Sequence, residues 1–204
     1  ETAKIFGYNP DKPVIVVLQH PVTDESANSG KQMRATMQAI EELGEQTIVI
    51  YPNSDAGREE MIKEVEESVL KNKNPDNPNR FFIKSFPSVP YKQYLSLLKH
   101  ASVMVGNSSG GIIEAPSLGL PVINIGTRQQ GRERAKNIID VGYDKDEILS
   151  AIRKAINDES FKAIVGGKET PYDPCGDGKI AERMCQVMKE VEINEKLIDK
   201  KLTY

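Results

Sequence analysis

The sequence predicts an α/β fold in which helices cover both faces of a parallel sheet. Three observations predict it. Short, continuous, β-branched runs such as VIVVL at Val14–Leu18 read as strands buried on both faces. Between these runs, apolar residues recur at helical spacing, and regular strand–helix alternation implies right-handed crossovers into one parallel sheet. Finally, 204 residues with 38% hydrophobic and 28% charged side chains are enough for a real core in one domain, or one and a half small ones.

Along the chain, Glu1–Lys12 (ETAKIFGYNPDK) reads as a polar lead-in, a linker left from something upstream, since no initiator Met precedes it. Val14–Leu18 is the first strand. Met33, Met37, Ile40 and Leu43 mark a helix stopped by Gly44. Thr47–Tyr51 is the second strand, and Ile62, Val65 and Val69 mark a charged amphipathic helix. Lys71–Asn79 is a loop by composition. Phe81–Ile83 is a weaker third strand, followed by a helix marked by Tyr91, Tyr94, Leu95 and Leu98. Val103–Val105 and Val122–Ile125 are strands flanking a helix over Gly111–Leu118, in which Pro116 requires a late start or a kink. Ile148, Leu149, Ile152 and Ile156 mark the next helix, and Ile180, Met184, Val187 and Val191 one face of a long terminal helix.

Composition excludes several function classes. A formal net charge of -3 argues against a nucleic-acid binder, which needs a basic face. Cys175 and Cys185 are too few for a disulfide framework and, with two histidines, match no zinc spacing. No apolar run approaches the roughly 20 residues of a membrane span, and the start lacks a signal-peptide pattern. The expectation is a cytoplasmic, homo-oligomeric protein with neither nucleic-acid nor membrane partner.

Ligands of such sheets bind beyond the carboxyl ends of the strands, so the residues following each strand are the candidates. Gly106-Asn107-Ser108-Ser109-Gly110-Gly111 lets a phosphate approach the backbone at a helix start; it matches neither a Walker loop nor GxGxxG. Its plain alternative is a strand-to-helix turn with Ser as N-cap. Glu114 is either a first-turn carboxylate favoured by the helix dipole or an acceptor for ribose hydroxyls. Arg128 offers a planar fork to phosphate oxygens, whereas Arg132 and Arg134 read as a surface loop paired with Glu133. His20 stands at a strand end, where it could act as a general acid or base near neutral pH. His100 reads as a helix C-terminal cation. Asn53 either leads into the next helix or points into the cleft. Tyr94, behind Phe86-Pro87-Ser88-Val89-Pro90, could stack on a base or pack into the core.

Taken together, HPVT at His20–Thr23, YPNSDAG at Tyr51–Gly57, GNSSGGIIEAPSLGLPVINIGTRQQGR at Gly106–Arg132 and CGDGKIAERM at Cys175–Met184 resemble the UDP-N-acetylglucosamine 2-epimerases. HPVT in place of the His-Arg-Arg-Glu of non-hydrolysing relatives resembles the hydrolysing branch. The resemblance implies a Rossmann-like domain forming the C-terminal half of a two-domain GT-B-type fold, with residues 1–178 as the UDP-binding unit and 179–204 as a helix crossing to the N-terminal domain. It implies UDP and UDP-N-acetylglucosamine as ligands and no metal or redox cofactor. Ser108, Ser109 and Gly110 would hold the diphosphate, Glu114 the ribose and Arg128 the phosphates; Tyr94 would lie near uracil, and His20 would be the catalytic histidine. The catalytic carboxylates would lie in the N-terminal half. The implied reaction eliminates UDP across C1–C2 of the sugar and adds water with inversion at C2. A glycosyltransferase donor domain, a non-hydrolysing epimerase and a non-catalytic nucleotide-sugar sensor are the competing expectations.

Overall fold

A computed structural model describes residues 1–73 and 81–198. Its strands are β1 (Val14–Leu18), β2 (Gln46–Ile50), β3 (Ile83–Phe86), β4 (Val103–Gly106), β5 (Val122–Ile125) and β6 (Ile138–Val141). Its helices are α1 (Thr2–Phe6), α2 (Ser29–Leu43), α3 (Arg58–Lys73), α4 (Tyr91–His100), α5 (Gly110–Ile113), α6 (Ala115–Leu118), α7 (Lys145–Asn157), α8 (Glu159–Gly166), α9 (Ile180–Glu190) and α10 (Glu195–Ile198). The strands form one parallel, six-stranded sheet in the order β3-β2-β1-β4-β5-β6. The chain builds outward from β1 to β3, then returns to the other side of β1 for β4. That reversal opens a crevice beyond the carboxyl ends of β1 and β4, the place where such sheets bind ligands.

Strand alternation divides the core in two. Ile15 and Val17 face the layer of α2, α3 and α7, packing with Met33, Ile40, Met61 and Ile152. Val14, Val16 and Leu18 face the opposite layer, with Phe6, Leu97, Leu98 and Leu120. Both faces of β1 are covered, which is why it reads as five buried residues in a row. Among the described residues no helix is long and apolar enough to cross a membrane.

The structure corrects the sequence reading in several places. Glu1–Lys12 is not a bare polar lead-in: α1 buries Phe6, and Tyr8 follows it into the second core. Phe6 meets Phe86 edge-on, ring centroids 5.2 Å apart. The third strand sits at Ile83–Phe86 instead of Phe81–Ile83, and β2 starts at Gln46 and ends before Tyr51. Residues 71–73 of the expected 71–79 loop are the last turn of α3; the rest lies outside the described residues. The strand β6 and the helix α8 were not expected. β6 is a short edge run broken by exposed Asp140, too weak to stand out by pattern. The Pro116 problem resolves as a break: α5 ends at Ile113, and α6 begins with the proline in its first turn, where its missing N–H costs nothing.

Candidate functional site

Three loops meet beyond the carboxyl ends of β1, β4 and β5, and one buried residue joins them. Asn107, 1% exposed, follows β4. Its Oδ1 accepts the backbone N–H of His20 at 2.7 Å, and its Nδ2 donates to the His20 carbonyl at 2.9 Å. Its own carbonyl accepts Gln129 Nε2 at 2.7 Å and Arg128 Nη1 at 3.3 Å. Sequence reasoning passed over Asn107. The signal was present, since a polar residue wedged between a strand and a turn of small residues must find partners when buried, but the partners are remote in sequence.

The same geometry fixes the state of His20. Its Nδ1 accepts the backbone N–H of Asn53 at 3.0 Å, so the neutral ring carries its proton on Nε2. Burial, then the charge of Arg128, lowers the His20 pKa to about 4 against the opposing pull of Asp55. At neutral pH His20 is therefore an uncharged hydrogen-bond donor through Nε2. The expected titration near neutrality does not occur in this state, because protonating Nδ1 would break its bond to Asn53 and place a cation beside Arg128.

The turn after β4 differs from a simple capped helix start. Ser109 occupies the N-cap position but makes no side-chain cap bond; Ser108 Oγ instead accepts the Gly110 N–H at 3.3 Å. With α5 only four residues long, little helix dipole is available, and an anion here would rely on hydroxyls and backbone N–H groups. The Tyr94 hydroxyl lies directly over Gly110, so close that a Cβ there would overlap it, and Glu114 Oε2 is 3.3 Å from the same point. Tyr94 packs its ring on the second core and presents its hydroxyl to the turn. Burial, then the Glu114 carboxylate, pushes its pKa above the usual tyrosine range.

A cavity of about 420 Å³ collects these groups. His20, Asn53, Tyr94, Ser108, Ser109, Gly110 and Glu114 all line it, together with Pro87, Ser88, Val89 and Tyr91. Arg128 is not part of its wall, its guanidinium being turned to the Asn107 carbonyl. Three buried polar atoms on the wall, Asn53 Oδ1, Tyr94 Oη and Glu114 Oε2, have no hydrogen-bond partner; buried polar atoms of this kind are normally satisfied, so they are available to a ligand. A larger cavity of about 740 Å³, between Gly44–Gln46 and Phe81–Lys84, lies at the amino ends of the strands, the wrong end for this architecture. Arg134 is structural, as expected, but its partner is Asp140 at 2.5 Å and not Glu133. His100 turns back on the Ser96 carbonyl at 2.7 Å, ending α4.

Residues 2–189 match the family model described as UDP-N-acetylglucosamine 2-epimerase. The chain belongs to the UDP-N-acetylglucosamine 2-epimerase family. Among curated relatives it is 35% identical over 196 residues to the UDP-N,N'-diacetylbacillosamine 2-epimerase (hydrolyzing) of Legionella pneumophila, an alignment covering 96% of this chain and 47% of that one. It is 40% identical over 144 residues to the UDP-N-acetylglucosamine 2-epimerase of Neisseria meningitidis serogroup B, covering 71% of this chain and 36% of the relative. The chain thus spans about half, or less, of the length of these epimerases. In fold it is similar to a Neisseria meningitidis UDP-GlcNAc 2-epimerase bound to UDP-GlcNAc, with TM-score 0.69 and 16% identity over 93% of this chain and 48% of that one. A Staphylococcus aureus MnaA–UDP complex gives TM-score 0.67 at 21% identity, covering 93% and 48%. The epimerase sheet and its flanking helices therefore account for both the Rossmann-like order and the GT-B-type relationship.

Proposed function

We propose that the chain is the UDP-sugar-binding, C-terminal half of a cytoplasmic, hydrolysing UDP-N-acetylglucosamine 2-epimerase, which eliminates UDP and adds water to release N-acetylmannosamine. The observation that carries this reading is the set of unpartnered buried atoms on Asn53, Tyr94 and Glu114 around the serine turn, at the point where the strand order reverses. Glu114 receives the two ribose hydroxyls. Ser108, Ser109 and the Gly110 backbone hold the diphosphate, and Arg128 leaves the Asn107 carbonyl to reach it. His20 Nε2–H donates to a phosphate oxygen as negative charge builds on departing UDP, an electrostatic role that needs no proton exchange. Elimination also requires a carboxylate to take the C2 proton, and that group belongs to the other half of the enzyme.

The exposed apolar side chains Met184, Val187 and Met188 of α9, with Val191 just past its end, support a division at residue 178. A stripe of this kind is costly in water and packs on the N-terminal domain in this reading. The first relative above favours a second substrate, a diacetamido sugar nucleotide, on the same site. Calorimetry with UDP tests the site: micromolar to millimolar binding is expected, and none at millimolar ligand overturns it. Assay of the full-length protein with each sugar nucleotide then separates the substrates. Free N-acetylmannosamine without an acceptor supports the epimerase; sugar transfer to an acceptor makes it a glycosyltransferase.

A further inference from the structure

Glu25 lies in the short 3-10 turn Thr23–Asn28 that follows His20. Its carboxylate accepts three hydrogen bonds, from Gln32 Nε2 at 2.6 Å, Tyr143 Oη at 2.7 Å and Thr127 Oγ1 at 3.1 Å. The donors come from α2, from the loop after β6 and from the loop after β5. The Tyr143 hydroxyl also lies flush against Gly126, where a Cβ would overlap it. One carboxylate thus closes the loops after β1, β5 and β6 into a ring at the carboxyl end of the sheet. Thr127, held by that ring, directly precedes Arg128. The hydrogen bond of Arg128 itself, 3.3 Å to the Asn107 carbonyl, is long, so its aim depends on where Thr127 is fixed.

We propose that Glu25 is a positioning residue that anchors Thr127, and thereby Arg128, so that it governs affinity for the diphosphate of the ligand and leaves nucleoside affinity alone. The proposal rests on the UDP-site reading above. It faces an opposing effect, since Glu25 is itself an anion near a diphosphate. Three donors converge on its oxygens and disperse that charge, so loss of the anchor outweighs relief of repulsion.

The test is calorimetry of the full chain with UDP and with uridine. Glu25→Ala is expected to weaken UDP about tenfold, the size of one displaced charge-assisted contact, and to leave uridine within about twofold. Tyr143→Phe, which removes a single donor, shifts in the same direction by less and guards against a Glu25→Ala protein that does not fold. In an Arg128→Ala background, Glu25→Ala should cost little more, because neighbours acting on one contact are non-additive. Equal losses for UDP and uridine, additive losses with Arg128→Ala, or unchanged UDP affinity in both variants overturns the positioning role. A wild-type chain that binds neither ligand overturns the site itself, and the proposal with it.

Discussion

The side chain of Asn107 holds the backbone of His20 from both sides, accepting its N–H at 2.7 Å and donating to its carbonyl at 2.9 Å. This pairing imitates a strand contact beyond the end of β1 and fixes the loop carrying the histidine. Asn107→Ala leaves both partly buried backbone groups of His20 unpaired. Each such group costs about 1–3 kcal/mol when fully buried, and partial access of water holds the expected loss in chemical denaturation to roughly 2–4 kcal/mol. Asn107→Asp keeps the acceptor, loses the donor and buries a charge, so it should be no milder. A loss below about 0.5 kcal/mol for either variant would show that water replaces the clamp.

His20 makes stability depend on pH. Its folded pKa of about 4 lies below its ordinary 6.5, so the unfolded chain takes up the proton first as pH falls. The associated stability is complete above pH 6.5, declines through the interval and is gone below pH 4. A shift of that size corresponds to at most about 3 kcal/mol. Urea denaturation between pH 4 and 7 should show this slope, and His20→Gln should flatten it. The same slope in the variant would assign the effect to other groups.

Much of this was legible in sequence, for a physical reason. Strands buried on both faces announce themselves as β-branched runs, and the ends of such strands are where ligands sit, so His20, Ser108, Ser109 and Glu114 could be picked out and line one cavity. Arg128 was picked out by the same rule yet does not line the cavity, because its guanidinium bonds to the backbone carbonyl of Asn107. What could not be read were the long-range bonds. Tyr143 is 118 residues from Glu25, and no local pattern connects them. Nor does local chemistry reveal that Asn53 contributes its backbone N–H to His20 while keeping a side-chain oxygen free. Edge strand β6 escaped because a short run containing Asp140 lacks the apolar continuity of a central strand.

Glu114 should confer sensitivity to the ribose. Its buried Oε2 has no partner, and a carboxylate that accepts both hydroxyls of a diol gains from each. The wild-type chain should bind uridine about tenfold more tightly than 2′-deoxyuridine, the range of one hydrogen bond to a charged group. Glu114→Ala should weaken uridine and erase that difference. Competition calorimetry with the two nucleosides reads this directly, and an undiminished preference in the variant would assign the ribose to another residue.

Gly110 and Tyr94 form a steric pair that can be separated by mutation. A Cβ at Gly110 would overlap the Tyr94 hydroxyl, while the ring carbon bearing that hydroxyl remains 3.3 Å away. Gly110→Ala must therefore push the tyrosine off the turn or shift the turn itself, and overpacking of this kind costs about 1–3 kcal/mol. Tyr94→Phe deletes the clashing oxygen and also removes a buried hydroxyl that has no partner, so alone it should cost little in thermal denaturation. Combined with Gly110→Ala, it should recover most of the lost stability, with a coupling energy above about 1 kcal/mol between these touching residues. UDP affinity should not recover in the double variant if the Tyr94 hydroxyl contacts the ligand. Additive destabilisation would mean that the turn, and not the tyrosine, yields to the added methyl.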